Sequence, residues 1–146
     1  MPEALDHELL REQLLALVNG RAIEKPVYDF ATHTRSPQPE RIVPVETVII
    51  EGLFALYWEE IRDLFHTSVF VNLHDHVCLS RRIERDTKER GRSRESVLAQ
   101  YTETVRPMNE QYILPTKTFA DIVVNGEDPL ERSTALIMAH ISSKDL

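Results

Sequence analysis

The chain has 146 residues, 42% of them hydrophobic, enough for one ordinary domain with a substantial core. Its formal net charge of -7 argues against general nucleic-acid binding, which rests on distributed phosphate neutralisation. One cysteine, Cys78, permits no intrachain disulfide, and there is neither a signal-peptide pattern nor an apolar run of about 20 residues, so a cytoplasmic protein without a membrane partner is expected.

Leu10, Leu14, Leu17 and Val18 recur at helical spacing, with Asp6 available as a cap and Gly20 placed to end the helix. After Pro26, the stretch Val27 to Arg35 is too polar for a core strand and too rich in aromatic and imidazole groups for a bland linker, and it reads as a binding loop. Ser36 to Pro44 holds three prolines and reads as an exposed turn. Val45 to Ile50 is a short apolar run ending in Glu51-Gly52, the pattern of a buried parallel strand with a carboxylate at its carboxyl end. Tyr57, Ile61, Leu64 and Phe65 mark a second helix, and Ser68 to Leu73 a second strand. A third helix begins near Asp75 and runs into a basic cluster. Val97, Tyr101, Val105, Met108 and Tyr112 predict a long fourth helix bent at Pro107. Ile122 to Val124 predicts a third strand, and Asp128-Pro129 opens a last helix. Strands alternating with helices predict an α/β fold with a parallel sheet.

The basic cluster runs from Arg81 to Arg94, with seven basic and three acidic residues interrupted by Gly91. Its local charge of about +4 in an acidic chain points to phosphate, because guanidinium forks match phosphate oxygens in bidentate geometry. A solvated helical face is the alternative, and Glu84 to Lys88 is a well-spaced ion pair, yet the cluster holds too many uncompensated guanidinium groups for simple pairing. Glu51, expected at a strand end, reads either as a magnesium-holding carboxylate or as a solvated glutamate. His33 beside Tyr28 and Phe30 could stack on and hydrogen-bond to a planar ring such as a nucleobase, unless the loop packs its aromatics inward. His74-Asp75-His76 lacks the partner cluster a metal site needs and reads as a cap region.

The following segments carry a resemblance: Pro26-Val27-Tyr28-Asp29-Phe30-Ala31-Thr32-His33-Thr34-Arg35, Ile50-Glu51-Gly52, Ile61-Arg62-Asp63-Leu64-Phe65 and Leu79-Ser80-Arg81-Arg82-Ile83. They continue with Arg85-Asp86, Glu89-Arg90-Gly91-Arg92, Gln100-Tyr101, Val105-Arg106-Pro107, Leu114-Pro115-Thr116-Lys117 and Ala120-Asp121. In order and spacing the chain resembles the uridine kinase (uridine–cytidine kinase) family of P-loop kinases. The resemblance implies transfer of the γ-phosphate of ATP (or GTP), with Mg2+, to the 5′-hydroxyl of uridine or cytidine. It implies that Tyr28 and His33 address the base with Phe30 lining the pocket, and that Arg82 and Gln100 contact the acceptor nucleoside. Arg85 and Arg90 match catalytic lid arginines, Arg92 matches a lid arginine at the phosphates or the acceptor, and Glu51 helps hold magnesium. A single, partial nucleoside kinase domain over residues 1–146, with an arginine-rich lid at about 84–95 and a homotetrameric assembly, is what the family implies.

The departure lies in the glycines. A P-loop needs G-x-x-x-x-G-K-[ST], and Gly20, Gly52, Gly91 and Gly126 do not stand in that pattern. Set against the family, Met1 falls well inside the domain, so the resemblance implies a P-loop-kinase-like parallel sheet flanked by helices, with the N-terminal strand and P-loop missing. That strand lies inside the family's sheet, and its loss would expose backbone groups that cost roughly 1 to 3 kcal/mol each when buried unsatisfied. The expected reading is therefore the C-terminal part of a pyrimidine-salvage kinase, inactive alone. The alternative is a non-catalytic nucleoside-binding or assembly module.

Overall fold

The computed structural model describes residues 1–29 and 34–144, in two compact units, Met1–Leu64 and Phe65–Leu146. In the first unit, helix α1 (His7–Val18) forms where the apolar spacing predicts it. The Leu9 amide donates to Asp6 Oδ1 at 3.1 Å, which satisfies one of the open amides of the first turn. Gly20 N–H bonds to Leu17 O and Arg21 N–H to Ala16 O, so the helix ends in a Schellman pair that buries Leu14 and Leu17 on its inner face.

The described residues on either side of 30–33 pair more than their composition suggests. Strand β1 (Ile23–Lys25) pairs antiparallel with β4 (Glu40–Ile42), and β2 (Tyr28–Asp29) with β3 (Thr34–Arg35). The predicted exposed turn Ser36 to Pro44 thus contains a strand, flanked by Pro39 and Pro44 outside its ladder, where the missing amides cost nothing. Arg35 reaches back to Asp6 at 2.8 Å, tying this ribbon to the start of α1.

The predicted strand Val45 to Ile50 is not a strand. Its residues form irregular backbone, with Ile49 86% and Val45 62% exposed. The physical reason is pairing: an apolar run becomes a parallel strand only when a neighbour satisfies its amides and carbonyls, and no ladder reaches it among the described residues. The chain then turns through Leu53 to Tyr57 into the short helix α2 (Glu59–Arg62), where Ile61 is fully buried. Arg62 Nη1 donates to the carbonyls of Leu56 and Tyr57, both at 2.9 Å, and fixes the turn. Trp58 stacks on His7, with ring centroids 5.2 Å apart and planes 5° from parallel.

The second unit is built on two parallel strands, β5 (Val69–Asn72) and β6 (Ile122–Asn125). Both ends of this pair are pinned. At the start, Ser68 N–H and Oγ donate to Asp121 Oδ2 at 2.8 and 2.9 Å, and Lys144 Nζ donates to Asp121 Oδ1 at 3.2 Å. At the carboxyl end, Gly126 N–H bonds to Asn72 O and Lys117 Nζ to Asn72 Oδ1. Phe70 and Val124 are buried, but their register partners Val123 and Val71 are 43% and 58% exposed. Both faces are apolar, as in parallel sheets, and two strands cover each face only in part.

Helix α3 (Asp75–Glu89) follows β5. Next comes α4 (Arg94–Gln100), whose Ser93 Oγ accepts the Ser96 amide at 3.2 Å. The predicted long, bent fourth helix continues as a π turn (Tyr101–Val105), a short α segment α5 (Arg106–Met108), a second π turn (Asn109–Ile113) and a 3-10 turn (Leu114–Phe119). Pro107 explains the widening, since it offers no amide and its ring crowds the preceding turn. The last helix, α6, spans Leu130–Lys144 and begins one residue after Pro129. Among the described residues no helix is long and apolar enough to cross a membrane.

A Cβ at Gly126 would meet Leu73 Cγ at 2.8 Å and Val71 Cγ1 at 3.0 Å, whereas one at Gly52 meets nothing within 4 Å. Gly126→Ala should therefore lower stability by about 1–3 kcal/mol in urea denaturation through overpacking at the end of the β5–β6 pair. Gly52→Ala should leave the midpoint unchanged or raise it slightly.

Candidate functional site

The basic cluster folds around one carboxylate. Asp86 lies on α3 with its side chain fully buried, one helical turn after Arg82 and one before Arg90. Arg85 Nε and Nη2 both reach Asp86 Oδ1 at 2.9 Å, and Arg90 Nη1 reaches the same oxygen at 3.4 Å. Arg82 Nε and Arg92 Nη1 face Oδ2 at 3.6 and 3.7 Å. Gly91 makes this convergence geometrically accessible. Its φ of 62° turns the chain back at the end of α3, so that Arg92 N–H bonds to the Asp86 carbonyl at 3.1 Å.

A second acceptor gathers the same side chains. Gln100 Oε1 accepts from Arg82 Nη2 at 3.2 Å and from Arg92 Nη1 at 2.6 Å, while Arg92 Nη2 donates to Ser96 Oγ at 2.9 Å. Burial alone would raise the Asp86 carboxyl. The hydrogen bond from Arg85 and the charges of Arg85, Arg90 and Arg82 more than offset that and hold it below the usual carboxylate range. The sequence-based expectation of too many guanidinium groups for simple pairing is refined, not reversed: four of them share the single carboxylate of Asp86, and Lys88 pairs with Glu84 at 2.7 Å. Four positive charges against one negative still leave a concentrated cationic surface, with Arg85 and Arg90 roughly half exposed. Preorganised guanidinium groups of this kind can receive phosphate oxygens without first being gathered from solvent.

Arg82, Arg85, Arg90, Arg92 and Gln100, all singled out from the sequence, therefore come together. Tyr28 and Glu51 belong to the Met1–Leu64 unit, where Tyr28 lies on β2 and Glu51 is exposed in irregular backbone after Ile50. The expected place of Glu51 at the carboxyl end of a strand does not hold, because residues 45–50 do not pair. Among the described residues no group of three or more His, Cys, Asp or Glu gathers that could hold a metal ion, so Glu51 is not part of a preformed cation cage. Phe30 and His33 lie outside the described residues. Asp86 itself was missed as a centre, although its four-residue spacing from Arg82 and Arg90 is legible.

Beyond the carboxyl end of β5 a depression of about 370 Å³ is lined by Leu73, Asp75, Cys78, Arg106, Asn109 and Glu110 among others. Open parallel sheets receive ligands at this position. Asp75 is fixed there by the Tyr101 hydroxyl at 2.6 Å and by Arg106 Nη2 at 2.6 Å. Burial and then the Asp75 contact raise the Tyr101 phenol well above its usual value, so it remains a donor. Burial, with Asp75 adding to it, also raises the Cys78 thiol and leaves it a weak nucleophile.

The sequence profile of the Phosphoribulokinase / Uridine kinase family matches residues 1–128. The chain belongs to this family. Among curated members, it is 44% identical to a uridine kinase of Vibrio cholerae over 97% of its own length and 66% of that relative's. It is 50% identical to a uridine kinase of Lactobacillus johnsonii over 84% of this chain and 58% of the relative, and 49% identical to one of Deinococcus deserti over 96% and 68%. The chain thus spans 58 to 68% of the length of these uridine kinases. Membership in the phosphoribulokinase and uridine kinase family agrees with the mixed α/β architecture and its parallel strand pair.

The Asp75 carboxyl is held below its ordinary value of 3.8 by the Tyr101 hydroxyl and then by Arg106. Its stabilising contribution is fully present above the unfolded value and lost as pH falls through the folded one. Asp75→Asn should be less stable than wild type at neutral pH, and its urea midpoint should decline less steeply below about pH 4. Tyr101→Phe should cost roughly 1 kcal/mol at neutral pH through the lost hydrogen bond.

Proposed function

We propose that this chain carries the acceptor-binding and lid parts of a pyrimidine nucleoside kinase, which transfers the γ-phosphate of ATP or GTP to the 5′-hydroxyl of uridine or cytidine. The observation that carries the proposal is the convergence of Arg82, Arg85, Arg90 and Arg92 on Asp86 and Gln100, in a chain of this family. Phosphoryl transfer asks little of the protein beyond positioning and charge stabilisation, and an arginine cluster supplies both.

In this reading residues 84–95 are the lid of one kinase domain. Arg85 and Arg90 stabilise charge on the transferring phosphoryl group, and Arg92 bridges lid and acceptor. Arg82 and Gln100 orient the acceptor nucleoside, while Tyr28, Phe30 and His33 recognise its base. Bound with the nucleotide, magnesium supplies neutralisation of phosphate charge, and Glu51 is the residue proposed to hold it. The donor phosphates also require a P-loop, which the 146 residues do not contain, so transfer by this chain alone is not expected. Assembly as a homotetramer in the cytoplasm accompanies the reading.

The absence of the G-x-x-x-x-G-K-[ST] pattern from the sequence also favours a second reading, a non-catalytic nucleoside-binding or assembly module. Calorimetry with uridine, cytidine and ATP, together with a transfer assay, tests what the two readings share, and reading the DNA upstream of the first codon separates them, since a stop codon in place of an in-frame P-loop would count against the first. Nucleoside binding supports both readings, measurable turnover by the 146-residue chain sinks the second, and failure to bind either pyrimidine nucleoside overturns both. His33→Ala should weaken uridine binding about tenfold, equivalent to roughly 1.4 kcal/mol, and unchanged affinity would point to an acceptor without a base.

A further inference from the structure

We infer that Asp86 is a positioning residue, which holds the guanidinium groups of Arg82, Arg85, Arg90 and Arg92 in an anion-receiving arrangement before any phosphate arrives. The inference rests on the reading of this cluster as a phosphate site. Its role runs against simple electrostatics, since a carboxylate at the centre of an anion site lowers the site's positive charge and repels the ligand. A buried negative group is useful there only if geometry gains more than charge loses.

The two carboxylate oxygens do different things. Oδ1 is saturated: Arg85 grips it with two nitrogens at 2.9 Å, and Arg90 lies at 3.4 Å. Oδ2 is buried without a hydrogen-bond partner, as is Arg82 Nε opposite it at 3.6 Å. Arg92 also stands off Oδ2, at 3.7 Å, with its Nη1 donating to Gln100 instead. Arg85 is thus hydrogen-bonded to Oδ1 with Arg90 alongside, whereas Arg82 and Arg92 face Oδ2 and donate to Gln100 Oε1, Arg92 also to Ser96 Oγ at 2.9 Å. Arg82 and Arg92 are the more enclosed pair, and the roughly half-exposed Arg85 and Arg90 present the outer face of the cluster to a ligand. Like charges this close would otherwise splay apart into water.

Asp86→Asn tests this with little change of shape. An amide that keeps its oxygen toward Arg85 must turn its nitrogen toward Arg82 Nε and Arg92 Nη1, donor against donor. Inorganic tripolyphosphate is the probe, titrated by calorimetry into wild type, Asp86→Asn, Arg85→Gln and the double variant. The positioning role predicts that Asp86→Asn weakens tripolyphosphate binding about tenfold despite adding one positive charge, and that the two substitutions together cost clearly less than the sum of their separate effects. Unchanged or tighter binding by Asp86→Asn overturns the inference, because that is the result of charge alone. Additive losses overturn it too.

Should Asp86→Asn fail to fold, the wild-type chain still decides the matter. Preorganisation predicts resolved, slowly exchanging Nε–H resonances from Arg82 and Arg85 without ligand, and averaged signals like those of free arginine overturn it. Uridine binding, measured separately, keeps the two levels apart. Loss of uridine recognition alone removes the kinase reading and leaves the role of Asp86 standing, whereas a tripolyphosphate response of the wrong sign removes that role and leaves the kinase reading intact.

Discussion

A single carboxylate buried among four guanidinium groups organises the charge of the second unit. The burial of Asp86 is tolerable because Arg85 hydrogen-bonds to it and three further cations surround it. The constraint acts in both directions. Asp86 stays charged inside the protein because the arginines surround it, and the four arginines in turn share it as their counter-ion. The left-handed turn at Gly91 and the Ser93 cap on α4 serve that exchange, because they return the chain so that Arg92 and Gln100 meet the end of α3. The geometry of the arginine cluster is thus encoded locally, within one helix, its terminal turn and the next helix.

Much of this was legible in the sequence. The apolar spacing of α1, the strands at 69–72 and 122–125, the helix starting at Asp75 and the disturbance at Pro107 all follow from period, capping and the missing proline amide. The concentration of arginines at residues 81–94 was also legible, as local positive charge in an acidic chain. Their shared counter-ion was not recognised, because reading charges as a net sum hides which carboxylate is surrounded. The pairings of β1 with β4 and of β2 with β3 were not legible either, since strands of two or three residues carry too little alternation to stand out from polar, proline-rich chain.

Residues 45–50 teach a different lesson. Their composition describes a strand well, and nothing in the local sequence opposes one. Strand formation is a property of a pair, however, and the hydrogen-bonding neighbour matters more than propensity. The same principle explains why β5 and β6 leave Val71 and Val123 exposed although both are typical interior strand residues. Here the sequence reports what the segment is suited to, and the structure reports which pairings are made.

The stacking of Trp58 on His7 bears on how the molecule can be observed. Trp58 is the lone tryptophan of the chain, and it lies in the Met1–Leu64 unit. Its fluorescence is therefore an intrinsic reporter of that unit, while the arginine cluster and the β5–β6 pair are optically silent in the same channel. An unfolding curve followed by tryptophan emission describes one unit, and a probe in the other is needed before a single transition can be ascribed to the whole chain.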